Sequence, residues 1–333
     1  MSAEQAAAKQ TLAEQPNSAP LPLLVLLCGP TASGKTALAV SIAERFGGEI
    51  ISCDSVAVYR GLEIGSAKPT AEERARASHH LLDVYEANQW CTAGDYSRLA
   101  RKAIVEVTAR GHLPIVSGGT GLYLRALTDG LFAGPPRSEE VRARLERSEQ
   151  AHGTGWLHRV LSRLDRRAAQ SIHPHDLPKL IRAIEVCVAV RKPMTEAWQA
   201  GRDPLTGYRI LRLGLSPERK ALYARINARA RAMFDEGLVE ETAALMAQYS
   251  EALPTLDALG YRQAQQLLRG EMTREAAIAA AQQGHRNYAK RQFTWFRREP
   301  EIVWLAGFGQ GAEVQHRVHS LIEAAINGEP ILV

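Results

Sequence analysis

The sequence predicts an α/β protein, a parallel sheet core covered by helices, with a helical lobe inserted part-way along the chain. Three observations carry this. Short apolar runs alternate with segments of helical period through the first third of the chain. The first run, LLVLLC, meets a G-x-x-x-x-G-K-T pattern at Gly29–Thr36, which opens a helical segment. A long Arg-rich helical stretch then lies between two Gly/Pro breaks, and strand character returns after it.

The elements follow in order. Residues 1–20 are rich in Ala and Gln, carry Glu4 and Glu14, and lack a basic start and an apolar centre. They read as a disordered tail rather than a signal or transit peptide. Pro22–Cys28, Glu49–Cys53 and Leu113–Ser117 are the expected strands of the first core segment, residues 21–132. Lys35–Phe46, with Leu38, Ile42 and Phe46 on one face, is an expected helix, as are Thr92–Arg110 and Gly121–Thr128. Thr92 with Asp95 three residues on suits an N-cap pair. Gly134-Pro135-Pro136 interrupts the pattern, and residues 133–205 read as a helical insertion. Between Arg137 and Lys192 it carries 12 Lys+Arg against 7 Asp+Glu. Residues 206–310 return to the core through Tyr208–Leu215, and residues 311–333 form a C-terminal helix and tail. Ser216-Pro217-Glu218 reads as a helix start, with Ser at the N-cap and Pro at the first position. The helix behind it places Leu222, Ile226 and Met233 on one side and Arg225 with Arg229 on another. Glu301–Leu305 is the expected last strand.

Bulk properties narrow the class. The chain has 333 residues, 45% hydrophobic and 23% charged, with a formal net charge of +5. It has no apolar run of membrane-spanning length. Four cysteines, Cys28, Cys53, Cys91 and Cys187, show no C-x-x-C pairing, which is the profile of a reduced, cytoplasmic protein. Cys28 and Cys53 end apolar runs and are expected as buried thiols.

Gly29, Pro30, Thr31, Ala32, Ser33, Gly34, Lys35 and Thr36 would cradle phosphate. The glycines let backbone N–H groups converge on phosphate oxygens, and the helix N-terminus adds partial positive charge. Lys35 would neutralise an outer phosphate and the Thr36 hydroxyl would sit on Mg²⁺. Asp54 follows the second strand, expected to neighbour the strand that carries the phosphate loop, so it should face the same crevice, which the carboxyl ends of an open sheet line. It could cap locally, hold Mg²⁺ through water, or act as a base. Gly118-Gly119-Thr120-Gly121 is either a ligand-approach loop or a tight turn. His79-His80 with Asp83 lacks a third metal ligand at usable spacing. Gln282–Arg298 carries Arg286, Lys290, Arg291, Arg297 and Arg298, no acid, and the aromatics Tyr288, Phe293, Trp295 and Phe296. Cations that track a phosphate backbone beside rings that stack bases are how single-stranded nucleic acid is held.

Seven stretches together resemble the tRNA dimethylallyltransferases, also called tRNA isopentenyltransferases. They are GPTASGKTALA at 29–39, ISCDSVAVYRGLEIGSAKP at 51–69, HHLLD at 79–83, GGTGLYLRAL at 118–127, HPHDLPKLIRAIEV at 173–186, LGYRQ at 259–263 and AKRQFTWFR at 289–297. The resemblance implies a core like that of the P-loop NTPases and a bacterial-type, cytoplasmic, monomeric enzyme. Such an enzyme moves a dimethylallyl group from dimethylallyl diphosphate to N6 of adenosine 37, beside the tRNA anticodon. It implies Asp54 as general base and a loop that holds the donor's diphosphate with Mg²⁺ and Arg225. Thr120 would lie against the target adenine. Contacts to the tRNA anticodon stem-loop would come from Asp54, Ser55, Val56, Ala57, Thr120, Arg142, Lys179, Leu180, Ile181, Arg182, Asp257, Gly260, Tyr261 and Arg262. Lys290, Arg291, Gln292, Phe293, Thr294, Trp295 and Arg297 complete that set. The chain departs from the commoner pattern at Ala57, where glutamine is frequent, and at Gly121, where a larger residue is frequent. It lacks the zinc-finger extension of some eukaryotic members. The residues alone also admit a P-loop kinase, although the third strand ends in Ser117-Gly118-Gly119 without an acid, and a non-catalytic RNA-binding protein.

Overall fold

A computed structural model describes residues 20–132, 134–198 and 201–329. The expected N-terminal tail, apart from Pro20, lies outside the described residues. Six parallel strands form one sheet: β1 (Leu23–Cys28), β2 (Gly48–Cys53), β3 (His79–His80), β4 (Leu113–Gly118), β5 (Arg209–Ser216) and β6 (Ile302–Ala306), in the order β3-β2-β4-β1-β5-β6. Every side chain of β1 is buried. That is why its sequence is an unbroken apolar run rather than an alternating one.

Helices cover both faces. On one, α1 (Lys35–Phe46), with the short α2 (Ala71–Arg76) beside it, and α14 (Ala312–Asn327) pack Leu38, Ile42, Val318 and Ile322 against Val25, Leu27 and Ile115. On the other, α3 (Ala93–Ala109) and α4 (Gly121–Thr128) bring Tyr96, Ile104 and Leu127 against Leu24, Leu26 and Val116. Thr92 and Asp95 do form the expected reciprocal cap on α3.

The insertion comprises α5 (Glu139–His152), α6 (Trp156–Leu164), α7 (Arg166–Ser171), α8 (Leu177–Val190) and α9 (Met194–Ala197). It packs its own core around Leu157, Leu161, Leu180 and Ile184. After β5, helices α10 (Arg219–Asp235), α11 (Leu238–Gln248), α12 (Tyr261–Leu268) and α13 (Arg274–Phe296) bury Phe234, Leu238, Tyr261 and Ile278 against the 58–62 segment. Among the described residues, no helix is long and apolar enough to cross a membrane.

Two expectations change. Ser216 is not the N-cap of α10; it ends β5, paired with Ala306 of β6. Glu218 caps instead, its carboxylate accepting from the amides of Lys220 and Ala221, both at 2.7 Å. Sheet pairing takes Ser216, so the cap moves to the next residue able to accept. The strands bearing the phosphate loop and Asp54 are also not neighbours, because β4 lies between β1 and β2.

His80, on the edge strand, is taken up by an ionic cluster at the opposite end of β2. Buried Glu49 accepts from Arg110 at 2.8 and 3.0 Å and lies 2.6 Å from His112 Nδ1 and 2.5 Å from His80 Nε2. The Arg110 bond, seconded by the two histidines, outweighs burial and holds the carboxyl near 2 instead of 4.5. A depressed folded-state pKa stabilises above the unfolded value, and that stability is lost as pH falls from about 4.5 towards 2. Glu49→Gln should therefore destabilise the fold at pH 7 by on the order of 3 kcal/mol. In urea titrations at a series of pH values the gap to wild type should close across that acid window. A gap constant with pH would remove the ionic account of this cluster.

Candidate functional site

Strand register builds the site. Gly118 of β4 pairs with Cys28 of β1 on one side and Cys53 of β2 on the other. The three strands therefore end level. The next residues, Gly29, Gly119 and Asp54, emerge side by side at the carboxyl edge, where open parallel sheets bind ligands. A cavity of about 300 Å³ opens there. Its wall includes Thr31, Gly34, Lys35, Thr36, Asp54, Gly119, Arg225, Arg229 and Tyr288, and on another side Ser66, Lys68, Glu73 and His79.

The phosphate loop turns through left-handed backbone at Ala32 (φ 63°) and Gly34 (φ 87°) before α1 begins. Lys35 Nζ donates to the carbonyls of Gly29 at 3.1 Å and Pro30 at 2.7 Å. Burial, then the neighbouring Arg229, pushes its pKa down to about 8, with Asp54 opposing. Arg229 donates to the Thr31 hydroxyl. Burial and Arg225 lower its pKa as well, but guanidinium stays charged at neutral pH. Arg225 lies with its guanidinium 5.0 Å from the Phe308 ring centroid. Three cations thus converge where Asp54 is a near carboxylate, an environment made for a polyanion. Sequence reasoning selects Arg225; Arg229, on the same helix face, is the closer partner of the loop.

Asp54 takes the first of the roles open to it with one carboxylate oxygen. Oδ1 accepts from the amides of Val56 at 2.8 Å and Ala57 at 3.2 Å, a local cap. Oδ2 has no hydrogen-bond partner among the described residues, and the residue lines the cavity. The Thr120 hydroxyl accepts from the Ser55 amide at 3.1 Å, and the Thr120 amide donates to Cys53 O at 3.3 Å, lacing the two loops together. Tyr288 of α13 adds a hydroxyl beside Thr120. Burial and the Asp54 charge push its pKa up to about 12, so it stays a proton donor. Sequence reading sees Tyr288 only as one aromatic among four. Its spacing from His285 and Gln292, three and four residues away on one helix face, is the signal that would have separated it. Burial and Arg229 hold His285 down at about 4, hence neutral. Cys28 and Cys53 are buried thiols pushed up to about 12 by burial.

Thr36 could hold Mg²⁺. Its hydroxyl-bearing side chain lines the cavity with Asp54, and no group of three or more His, Cys, Asp or Glu residues forms a metal cage among the described residues. That fits a cation that keeps its waters and relies on phosphate oxygens and one or two protein ligands.

The residues expected at an RNA surface divide. Lys290, Arg291 and Thr294 are exposed on α13, and Arg297 at its C-cap. The first three line a cavity of about 540 Å³ with Arg125, Trp295 and Arg298. Arg125 stacks over Trp295 at 4.5 Å. A Cβ on Gly121 would fall 2.3 Å from that indole, which accounts for the absence of a larger residue there. Phe293 is half-buried, with Arg297 over its ring. Ser55 and Val56 are half-buried and Ala57 is buried. Lys179, Asp257 and Arg262 are exposed, the last two paired at 3.5 Å.

Others are committed to the fold. Leu180 and Ile181 lie in the insertion core. Arg142 and Arg182 both bind buried Glu185, which also accepts from the Ser138 amide at 2.6 Å. Gly260 and Tyr261 are buried, and the Tyr261 hydroxyl donates to Glu241 at 2.6 Å. Glu241 in turn accepts from the amides of Ile64 and Gly65. Gln292 is buried against the phosphate loop. The physical reason is helical rotation. Consecutive helix residues point in different directions, so a contiguous motif cannot present all its side chains to one ligand.

Residues 57–299 match the family model described as IPP transferase. A tRNA dimethylallyltransferase of Koribacter versatilis is 64% identical over 91% of this chain and 99% of that protein. One from Solibacter usitatus is 51% identical over 88% and 95%. The crystal structure of a Bacillus halodurans tRNA isopentenylpyrophosphate transferase superposes with a TM-score of 0.69 at 35% identity, covering 93% of this chain and 98% of that one. A eukaryotic dimethylallyltransferase, crystallised acting on tRNA, shares the fold at a TM-score of 0.78 and 23% identity, over 94% and 81%. The sheet, the level strand ends and these matches lead to one conclusion: the chain belongs to the IPP transferase family.

Proposed function

We propose that the protein is a tRNA dimethylallyltransferase that moves the dimethylallyl group of dimethylallyl diphosphate to N6 of adenosine 37, next to the anticodon, releasing diphosphate. The observation that carries the reading is Asp54, with Oδ2 free of partners among the described residues, in one cavity with the cations of the phosphate loop. An alkyl transfer from a diphosphate needs both halves together. The relatives' names, and the exposed basic face of α13, supply tRNA as the acceptor.

The bond between the allylic carbon and the diphosphate oxygen breaks, and a bond from N6 to that carbon forms. The departing oxygen gains negative charge, and Lys35, Arg225 and Arg229, which line the same cavity, are the cations that would meet it. Asp54 takes the N6 proton, its Oδ1 bonds fixing the carboxylate plane while Oδ2 faces the work. Thr120 and Tyr288 supply hydroxyls beside Asp54 to orient the base. Mg²⁺, held through Thr36, would add charge neutralisation on the diphosphate. The direct test uses unmodified tRNA and labelled dimethylallyl diphosphate, with and without ATP. Label should enter the tRNA without ATP; ATP hydrolysis with no label transfer would instead support a kinase-like enzyme.

Asp54→Asn separates base from cap, because an amide oxygen can still accept from Val56 and Ala57. Turnover should fall by roughly 10²–10⁴ with both substrates bound within a few-fold of wild type. Turnover retained while tRNA affinity collapses would sink the general-base role.

Lys35 titrates near 8 in the free protein, and a bound diphosphate raises that value by favouring the ammonium. Donor affinity should therefore be flat below pH 8 and weaken about tenfold per unit above it. Isothermal titration with a thiodiphosphate analogue from pH 7 to 10 would show the break. Lys35→Met should bind weakly and lose it; a break surviving in that variant belongs to another group.

Lys290→Ala and Arg291→Ala should each weaken tRNA binding. Each should also lower the slope of log affinity against log salt by about 0.7–0.9 if it neutralises one phosphate. Unchanged slopes would remove this face of α13 as an RNA surface.

A further inference from the structure

Gln292 sits in the middle of the basic stretch of α13, yet its carboxamide turns inward. It is 5% exposed. Oε1 accepts from the Thr31 amide at 2.7 Å, and Nε2 donates to Gly119 O at 3.0 Å. One partner is in the phosphate loop that follows β1, the other in the loop that follows β4. The fit is close: a Cβ on Gly119 would come within 2.1 Å of Nε2. Thr31 is gripped a second time by Arg229 through its hydroxyl. Exposed Lys290, Arg291 and Thr294 flank Gln292 on the same helix, beside the Arg125–Trp295 cavity.

We propose that Gln292 is a positioning residue that couples occupancy of the outer face of α13 to the geometry of the phosphate loop. The proposal deepens the transferase reading and rests on it. A helix moves as a unit, so a small shift imposed on Lys290 and Arg291 arrives at Gln292 undiminished. The amide makes two directional bonds of opposite sense, to a donor and to an acceptor, so its displacement re-aims Thr31 and Gly119 together. An apolar side chain can do neither, and a carboxylate can accept from Thr31 but cannot donate to Gly119. Because binding free energies are linked, the anion must change RNA affinity by the factor by which RNA changes anion affinity.

The test measures the dissociation constant of inorganic diphosphate with and without saturating anticodon stem-loop RNA. It uses wild type, Gln292→Met and Gln292→Glu. In wild type the two constants should differ by about fivefold or more, the usual scale of coupling between sites. In Gln292→Met the ratio should fall to within about twofold of one, while affinity for RNA alone holds. Gln292→Glu, which keeps the Thr31 bond and loses the Gly119 bond, should fall between them. If Gln292→Met does not fold, as judged by its melting curve, the glutamate variant decides by the same ratio. A ratio of one in wild type, a ratio preserved in the variants, or RNA affinity lost with coupling intact would each overturn the proposal. The transferase reading fails separately, when no label enters tRNA; a wild type that transfers label without coupling overturns the coupling alone.

Discussion

The level ending of three strands is the constraint on which the rest depends. Parallel pairing fixes β4 between β1 and β2 with Cys28, Gly118 and Cys53 in one row. A slip of one residue in either pair would turn every side chain of a strand to the other face. The apolar content of β1, buried on both sides, makes that slip costly everywhere at once. The geometry of the candidate site is thus inherited from core packing. Gly29, Asp54 and Gly119 need no interaction with one another to end up adjacent.

What the sheet does not fix, the helices fix from outside. Thr31 is met by Arg229 from α10 and by Gln292 from α13. Thr120 is tied to Ser55, and Glu241 holds the Ile64 amide of another loop near the site. Each tie joins segments far apart in sequence. Loops carry function because a rigid scaffold positions them, and here the scaffold includes the side chains of Gln292 and Glu241.

This division explains what could be read in the sequence. β1, β2 and β4, the helices α1, α3 and α4 and the phosphate loop were legible because periodicity and a short motif are local, whereas the two-residue β3 and the six-residue helix before it are too short to show a period. Asp54 was legible as a residue at a strand end. Its free Oδ2 and capped Oδ1 were not, since both depend on how residues 54–57 turn. The strand order was also hidden: nothing in β2 announces that β4 will pair between it and β1. The resemblance carried the tRNA contacts over as contiguous runs. Helical rotation then sorted them, sending Leu180, Ile181 and Gln292 inward and leaving Lys179, Lys290 and Arg291 outside. Arg142 shows a further limit, because charge on a helix does not reveal that Glu185 is buried opposite it.

The electrostatics of the site can be understood the same way. Burying an ammonium beside a guanidinium disfavours the charged form, and Lys35 registers this by titrating near 8. A structure selected for stability alone would remove one cation or add a carboxylate; here Asp54 is the carboxylate whose charge opposes the shifts of Lys35 and Arg229. Under the proposed function Asp54 would also have to take a proton from an amine, which full pairing with a cation would oppose. Asp54 beside Lys35, Arg225 and Arg229 therefore leaves this part of the cavity short of negative charge. A diphosphate, the leaving group of the proposed reaction, would bring that charge. In that reaction the uncompensated positive charge would be the stabilisation offered to the group that leaves.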